Sequence, residues 1–210
     1  MEKKENNKRK LSEAEQRRLE HFEKISEEMV QKGYTRRDLT IDMKKATVFS
    51  IILLIPLFAI GYGLYYLVDH TFSFSSFGIP VFLVLFVLLI VIHELIHGLC
   101  WSFFTPNRFK DIEFGIMKPS MNPYCTCLVP LQKGHYLFGT VMPFIVLGII
   151  PMIAGIVSRN SAVLLMGILM ADSAAGDLMI IQKVTGFKTD AKEVIYMDHP
   201  TEAGSVLFER

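Results

Sequence analysis

The chain has 210 residues, a formal net charge of +1, 51% hydrophobic residues and a mean hydropathy of +0.36. This composition is too apolar for one soluble domain of this length, and the near-neutral charge gives no sign of nucleic-acid binding. Three cysteines, an odd number, predict no disulfide framework and favour reduced thiols. Composition therefore indicates a membrane protein.

The first 45 residues are highly charged and predict a cytosolic N-terminal segment. Residues 1–10 are rich in Lys and Asn and predict a disordered tail. Ser12 and Glu15 have the spacing of a capping box, which predicts the start of an amphipathic helix, and Gly33 is well placed to end it. The predicted apolar stripe consists of Leu19, Phe22, Ile25, Met29 and Val30.

Four apolar runs reach membrane-spanning length, namely residues 46–68, 77–104, 136–157 and 161–183. Pro143 and Pro151 fall within the third run and predict a kink or a split there. The sequence thus predicts an all-α polytopic membrane protein with a four-span domain at residues 46–183 and a cytosolic C-terminal tail at residues 184–210.

Short β-strands are predicted next to the spans at two places. Leu39, Ile41 and Met43 alternate with polar residues before the first span. A second alternation, formed by Ile112, Phe114 and Ile116, follows the second span. Both strands are expected near the cytosolic face.

The distribution of Lys and Arg predicts the orientation in the membrane. The loop at residues 69–76 has neither Lys nor Arg, and the turn after the third run has only Arg159. Basic residues cluster before the first span, between the second and third spans, and after the fourth, and the positive-inside rule places these segments in the cytosol. They include Lys32, Arg36, Arg37, Lys44, Lys45, Arg108, Lys110, Lys118, Lys133, Lys188, Lys192 and Arg210.

The second span contains the sequence His93-Glu94-Leu95-Ile96-His97. H-E-x-x-H on a helix places two imidazoles on one face, one turn apart, where they can bind zinc, and the Glu can act as general base. Charged groups inside an apolar span are costly and are retained mainly for function. The motif therefore predicts one zinc ion bound by His93 and His97, with Glu94 catalytic.

Asp172 and Asp177 in the fourth run are the intramembrane candidates for a third zinc ligand. Positions five residues apart face directions about 140° apart on a helix, so the two aspartates cannot easily share one ion. Asp177 matches the expected depth of His93 and His97 better, and the small residues before it permit close helix approach. Asp177 is therefore the predicted ligand, and Asp172 is the alternative.

Cys125 and Cys127 form a C-x-C pair in the predicted cytosolic segment. Such a pair can bind a metal ion, but no second Cys or His pair lies near it in the sequence. The pair is therefore only a minor candidate for a metal site.

Taken together, these residues resemble a bacterial membrane family of putative zincin peptidases, related to the site-2 protease group of intramembrane zinc metalloproteases. The resemblance implies a polytopic metallopeptidase with His93, His97 and Asp177 on zinc and Glu94 catalytic. The similar segments are Gly33-Tyr34, Asp38-Leu39-Thr40, His93 to Gly98, Pro123-Tyr124-Cys125-x-Cys127, Pro130-Leu131, Tyr136, Pro143, Leu147 to Pro151 and Gly176-Asp177.

The expected function is hydrolysis of peptide bonds in membrane-embedded or membrane-adjacent substrates near the cytosolic leaflet. The expected partners are a membrane protein or peptide and the lipid bilayer. The alternative is a non-catalytic, zinc-bearing membrane protein with a regulatory or immunity-type binding role, against which the retained Glu94 argues because ligation alone does not need it. A transporter is disfavoured because the spans show no obvious internal repeat.

Overall fold

The computed structural model describes residues 11–71, 78–117 and 122–210. Its helices are α1 (Glu13–Gln31), α2 (Met43–Val68), α3 (Gly78–Ser102), α4 (Lys133–Pro143), α5 (Ile150–Val157), α6 (Ser161–Ser173) and α7 (Ala175–Gly186). Its strands are β1 (Thr35–Thr40), β2 (Ile112–Met117), β3 (Asn122–Cys127), β4 (Leu131–Gln132), β5 (Val194–Asp198) and β6 (Gly204–Glu209). The predicted disordered tail at residues 1–10 lies outside the described residues.

Helix α1 confirms the predicted capping box. The backbone N–H of Glu15 donates to Ser12 Oγ at 3.3 Å, and the Glu15 carboxylate accepts from the backbone N–H of Ser12 at 2.9 Å. These bonds satisfy donors that a helix start otherwise leaves without partners. Gly33 adopts a φ of +87°, which a side chain would disfavour, and the chain turns there into β1.

Three helical stretches in the described residues are long and apolar enough to cross a membrane, namely Met43–Tyr66, Gly78–Ser102 and Lys133–Val157. The predicted fourth span is not one straight helix. Helices α6 and α7 meet at an angle of 46°, so the total reaches four only if this bent pair counts as one span. The break falls among the small residues 173–176.

The third apolar stretch is continuous, and the prediction of a split there is wrong. A π-helical segment, Phe144–Ile149, joins α4 to α5 between Pro143 and Pro151. In this segment the backbone N–H of Ile150 donates to Ile145 O, five residues earlier. The wider turn carries the helix past prolines that cannot donate a hydrogen bond.

The strands confirm one sequence expectation and correct two others. Strand β2 contains the predicted alternation at residues 112–116 and pairs with β3 in an antiparallel hairpin. Strand β1 ends at Thr40, and the predicted strand residue Met43 instead begins α2 because Asp42 caps that helix. The C-terminal segment, expected as a tail, contains β5 and β6.

An antiparallel sheet with the order β1-β6-β5-β4 joins segments that are far apart in sequence. One face packs against α1 through Phe22 and Met29, which contact Val206 and Phe208. The opposite face packs on the ends of the apolar helices, and the side chains there are Trp101, Tyr136, Val184, Tyr196 and Leu207. The sheet therefore lies between α1 and the helix ends that carry the predicted site.

Candidate metal centre

The exposure of the side chains on α3 falls from its start to its end. Val81, Val84 and Leu88 near its start are more than half exposed, as expected for a surface against lipid. His93 and His97, near its end, are buried at 6% and 4% exposure. The i, i+4 spacing places both rings on one face, with their Nε2 atoms 3.2 Å apart. The H-E-x-x-H motif thus lies where α3 enters the packed core.

Asp177, in the first turn of α7, faces the two histidines. Its Oδ2 lies 3.0 Å from His93 Nε2, and its Oδ1 lies 3.4 Å from His97 Nε2. The structure therefore brings together the three predicted ligands, with one ligand atom of each residue within 4.8 Å of the others. Their assignment as ligands remains a prediction.

The separations within this group fit a zinc ion. Zinc bonds to nitrogen and oxygen are about 2.0–2.1 Å long, so two ligands of a tetrahedral ion lie about 3.3 Å apart. The distances from His93 Nε2 to Asp177, from His97 Nε2 to His93 Nε2, and from His97 Nε2 to Asp177 are 3.0, 3.2 and 3.4 Å. Two imidazoles and one carboxylate also form the ligand set typical of a catalytic zinc site, which leaves one position open.

Contacts with α3 and α4 fix the orientation of His97. Its Nδ1 lies 2.8 Å from Gly139 O, which requires the proton on Nδ1 and leaves the Nε2 lone pair directed at the centre. Trp101 stacks on the His97 ring at 5.2 Å between centroids, and its Nε1 donates to Tyr136 O at 3.1 Å. A Cβ at Gly139 would lie 2.1 Å from Trp101 Nε1, so the indole fits only because residue 139 is glycine.

Glu94 lies in the wall of a cavity that also contains His97 and Asp177. The cavity has a volume of about 200 Å³. The backbone N–H of Cys125 in β3 donates to the Glu94 carboxylate, which holds it toward the hairpin. A carboxylate beside two imidazoles and a second carboxylate, in a cavity large enough for water, is the arrangement that general-base hydrolysis needs.

Comparison with family models finds a match at residues 86–192 to the family described as "Putative zincin peptidase". The matched range contains His93, Glu94, His97 and Asp177. The chain belongs to this family. Neither the curated proteins nor the solved structures gave a match. Membership in the zincin peptidase family implies zinc dependence, which agrees with the fit of the His-His-Asp group.

Asp172, the alternative ligand, lies apart from the His93–His97–Asp177 group of this zincin family member. Its Oδ2 accepts a hydrogen bond from Ser50 Oγ of α2 at 2.8 Å. Its Oδ1 is buried and has no hydrogen-bond partner among the described residues. The aspartate thus connects α6 to α2 and leaves Asp177 alone with the histidines.

Cys125 and Cys127, the minor candidate for a metal site, lie in strand β3. Burial raises the pKa of Cys125 far above its ordinary value and raises that of Cys127 to about 12. Within the described residues, the group with metal-binding geometry contains neither cysteine.

Asp198 of β5 is a buried cavity residue that sequence reasoning missed. Its carboxylate accepts from the backbone N–H of Cys127 at 2.8 Å and from the hydroxyl of Tyr136 at 2.7 Å. Burial raises the pKa of Asp198, and these hydrogen bonds oppose that shift. The residue joins β3, β5 and α4 behind the metal centre. No local pattern marks it, because its partners are 62 and 71 residues away.

Proposed function

We propose that this chain is an intramembrane zinc metallopeptidase of the site-2 protease type. The observation that carries the proposal is the convergence of His93, His97 and Asp177 at separations that fit zinc. Glu94 lines the same cavity as His97 and Asp177. Membership in the zincin peptidase family supports the reaction class. The burial of the site at the end of a long apolar helix supports action at the membrane.

The chain supplies the following chemistry. His93, His97 and Asp177 would hold one zinc ion, which when bound would polarise a peptide carbonyl and acidify water. Glu94 accepts a proton from the attacking water and donates it to the leaving amine nitrogen as the C–N bond breaks. The Gly139 carbonyl and the Trp101 ring keep His97 in the orientation and tautomer that ligation requires.

The substrate we propose is a membrane-embedded or membrane-adjacent peptide, cleaved near the cytosolic leaflet of a bacterial membrane. The motif lies in the last ten residues of α3 (Gly78–Ser102), next to the polar sheet. At that position, water and a substrate peptide would approach the site from the side of the sheet. The partners in this proposal are the substrate and the lipid bilayer.

The sheet supports four crossings with both terminal segments on one side of the membrane, which the Lys and Arg distribution makes the cytosolic side in this proposal. Strand β1 precedes α2, β4 lies between α3 and α4, and β5 and β6 follow α7, yet all four strands form one sheet. Segments on one side of a membrane must be separated by an even number of crossings. This condition is met if the bent pair α6–α7 crosses once.

Glu94→Gln tests the catalytic proposal. The variant keeps the size of the side chain but cannot accept the proton, so we expect zinc content to stay at about one per chain and turnover to fall by about 10²–10⁴-fold. Zinc is measured by elemental analysis, and turnover is measured on a panel of membrane proteins in detergent. Cleavage at the wild-type rate would exclude the proposed mechanism. Zinc binding without Glu94-dependent cleavage in any protein would favour the non-catalytic alternative.

Single introduced cysteines test the orientation. In a background without native cysteines, a cysteine at Asn160, in the turn between α5 and α6, should react with an impermeant reagent added to intact cells. A cysteine at Thr189, in the segment after α7, should react only after lysis. Labelling of position 189 in intact cells would reject the proposed topology.

A further inference from the structure

Arg18 of α1 lies between the catalytic cavity and a larger outer groove. The groove has a volume of about 790 Å³ and runs between the first turns of α1 and strand β2. Glu15, Arg18 and Tyr124 line both the groove and the catalytic cavity. The two spaces therefore adjoin, and these three side chains separate them.

The charged side chain of Arg18 is buried and contacts three parts of the fold. Its side chain is 8% exposed; Nε donates to Pro200 O at 2.8 Å, and Nη1 donates to Glu113 Oε1 at 2.8 Å. The guanidinium lies 4.6 Å from the ring centre of Tyr124, whose hydroxyl donates to the same Glu113 oxygen at 2.9 Å. Helix α1, the β2–β3 hairpin and the β5–β6 connection are thus held together by one side chain.

The catalytic cavity is too small for a peptide substrate in this arrangement. Pockets that hold even a drug-sized ligand have volumes of about 300–1,000 Å³, whereas this cavity has about 200 Å³. A peptide must extend on both sides of the bond that is cleaved. Joining the cavity to the adjoining groove would give such a substrate the room that it needs to reach Glu94.

We propose that Arg18 is a gate, and that a substrate peptide reaches Glu94 from the outer groove once Arg18 leaves Glu113 and Pro200. This inference rests on the proposed peptidase function and adds to it the route of the substrate and the residue that controls it. The gate is closed in this structure. Opening joins the groove to the cavity and gives one continuous space for an extended chain.

Helix α1 can open at this point without loss of the fold. Its C-terminal half is anchored by Phe22 and Met29 in an apolar cluster with the sheet. Arg18 instead holds the N-terminal half over the cavity by polar contacts. Local opening of such a segment costs less than global unfolding, because little apolar surface is exposed.

The rate at which Cys125 is alkylated measures the opening of the gate and does not depend on proteolysis. Cys125 lines the catalytic cavity. The full-length protein in detergent is treated with N-ethylmaleimide, and each modified cysteine is identified by mass spectrometry. We expect Arg18→Gln to raise the rate at Cys125 by about tenfold or more, because charge-assisted hydrogen bonds no longer hold the closed state and water reaches the thiol. Lys24→Gln, which removes one charge from an exposed position of the same helix, is the matched control.

Cys100 and Cys127 are buried at 6% and 1% exposure and report general unfolding. A rise confined to Cys125 supports the gate. If all three cysteines react faster in Arg18→Gln, Glu113→Gln decides, since it removes the same ion pair from the hairpin and leaves Arg18 in place. No selective rise at Cys125 in Glu113→Gln would then overturn the gate.

Cleavage assays on the same proteins separate the gate from the proposed function. Selective labelling of Cys125 together with no cleavage by any protein, wild type included, leaves the gate in place and rejects the peptidase. Glu94-dependent cleavage, with Arg18→Gln equal to Lys24→Gln in both labelling and kcat/KM, rejects the gate and leaves the peptidase in place.

Discussion

Two carboxylates lie five residues apart on the two sides of the bend between α6 and α7, and their surroundings differ. Asp177, after the bend, lies 3.0 Å from His93 and faces α3. Asp172, before the bend, accepts a hydrogen bond from Ser50 of α2 and faces away from the histidines. One aspartate thus belongs to the candidate metal centre, and the other belongs to a helix–helix contact.

The bend is what separates these two roles. An unbroken helix already directs positions five apart about 140° from each other, and the 46° bend at residue 174 tilts α7 relative to α6. Ala174 and Ala175 are buried at 0% and 4% exposure, so α7 starts in close contact with its neighbours. Depth along the helix and the break in its axis together decide which carboxylate reaches α3.

Replacing the aspartates one at a time gives the largest expected effect. Asp177→Ala removes a predicted zinc ligand and should lower zinc affinity by more than about 100-fold, the upper range for residues that only orient ligands. Asp172→Ala should leave zinc content unchanged, because Ser50 is its partner. Equilibrium dialysis followed by elemental analysis measures both variants. Zinc loss in Asp172→Ala with retention in Asp177→Ala would reverse the comparison.

Gly139→Ala should give the next largest effect, because it disturbs the orientation of His97 and leaves all three predicted ligands in place. The new Cβ would lie 2.1 Å from Trp101 Nε1, so the indole must move away from the His97 ring. We expect zinc affinity to fall by about 10–100-fold, as when other residues that orient zinc ligands are changed.

Two glycines on the same stretch, residues 133–157, serve as controls for Gly139→Ala. A Cβ at Gly134 meets nothing within 4 Å, so Gly134→Ala should leave zinc affinity unchanged and should not lower thermal stability. A Cβ at Gly155 would lie 2.3 Å from the backbone of Leu164, so Gly155→Ala should lower the unfolding temperature without an effect on zinc. Equal zinc loss in Gly139→Ala and Gly155→Ala would show that zinc affinity follows stability alone.

The sequence predicts the parts of this molecule that depend on short-range patterns. The histidine spacing on α3, the capping box of α1 and the alternation of β2 are each contained within a few residues, and each is found in the structure. The choice of Asp177 over Asp172 also followed from local geometry, because helical rise and the bilayer set depth. The structure places Asp177 beside the two histidines, and its role as a ligand stays a prediction.

Other parts depend on long-range pairing that no local pattern contains. Strand β4 has two residues and pairs with β5, more than 60 positions later. The importance of Gly139 follows from the position of Trp101, which the sequence does not give.

Arg18 did leave a signal in the sequence. It precedes Phe22 by four residues and Met29 by eleven, and so it falls on the buried stripe of α1. A charged residue on an apolar stripe is a candidate for function.

Ser50→Ala should give the smallest effect and tests the other half of the comparison. The variant removes the donor at 2.8 Å from Asp172 and leaves the metal centre untouched. Hydrogen bonds between membrane helices contribute about 0.6 kcal/mol on average and at most about 1.7 kcal/mol, so we expect a small fall in unfolding free energy and unchanged zinc. A double-mutant cycle with Asp172→Ala measures the coupling: the double variant should be less destabilised than the sum of the single variants. Strict additivity would show that the Ser50–Asp172 bond does not connect α2 to α6, and a loss of zinc in Ser50→Ala would show that the two sides of the bend are not independent.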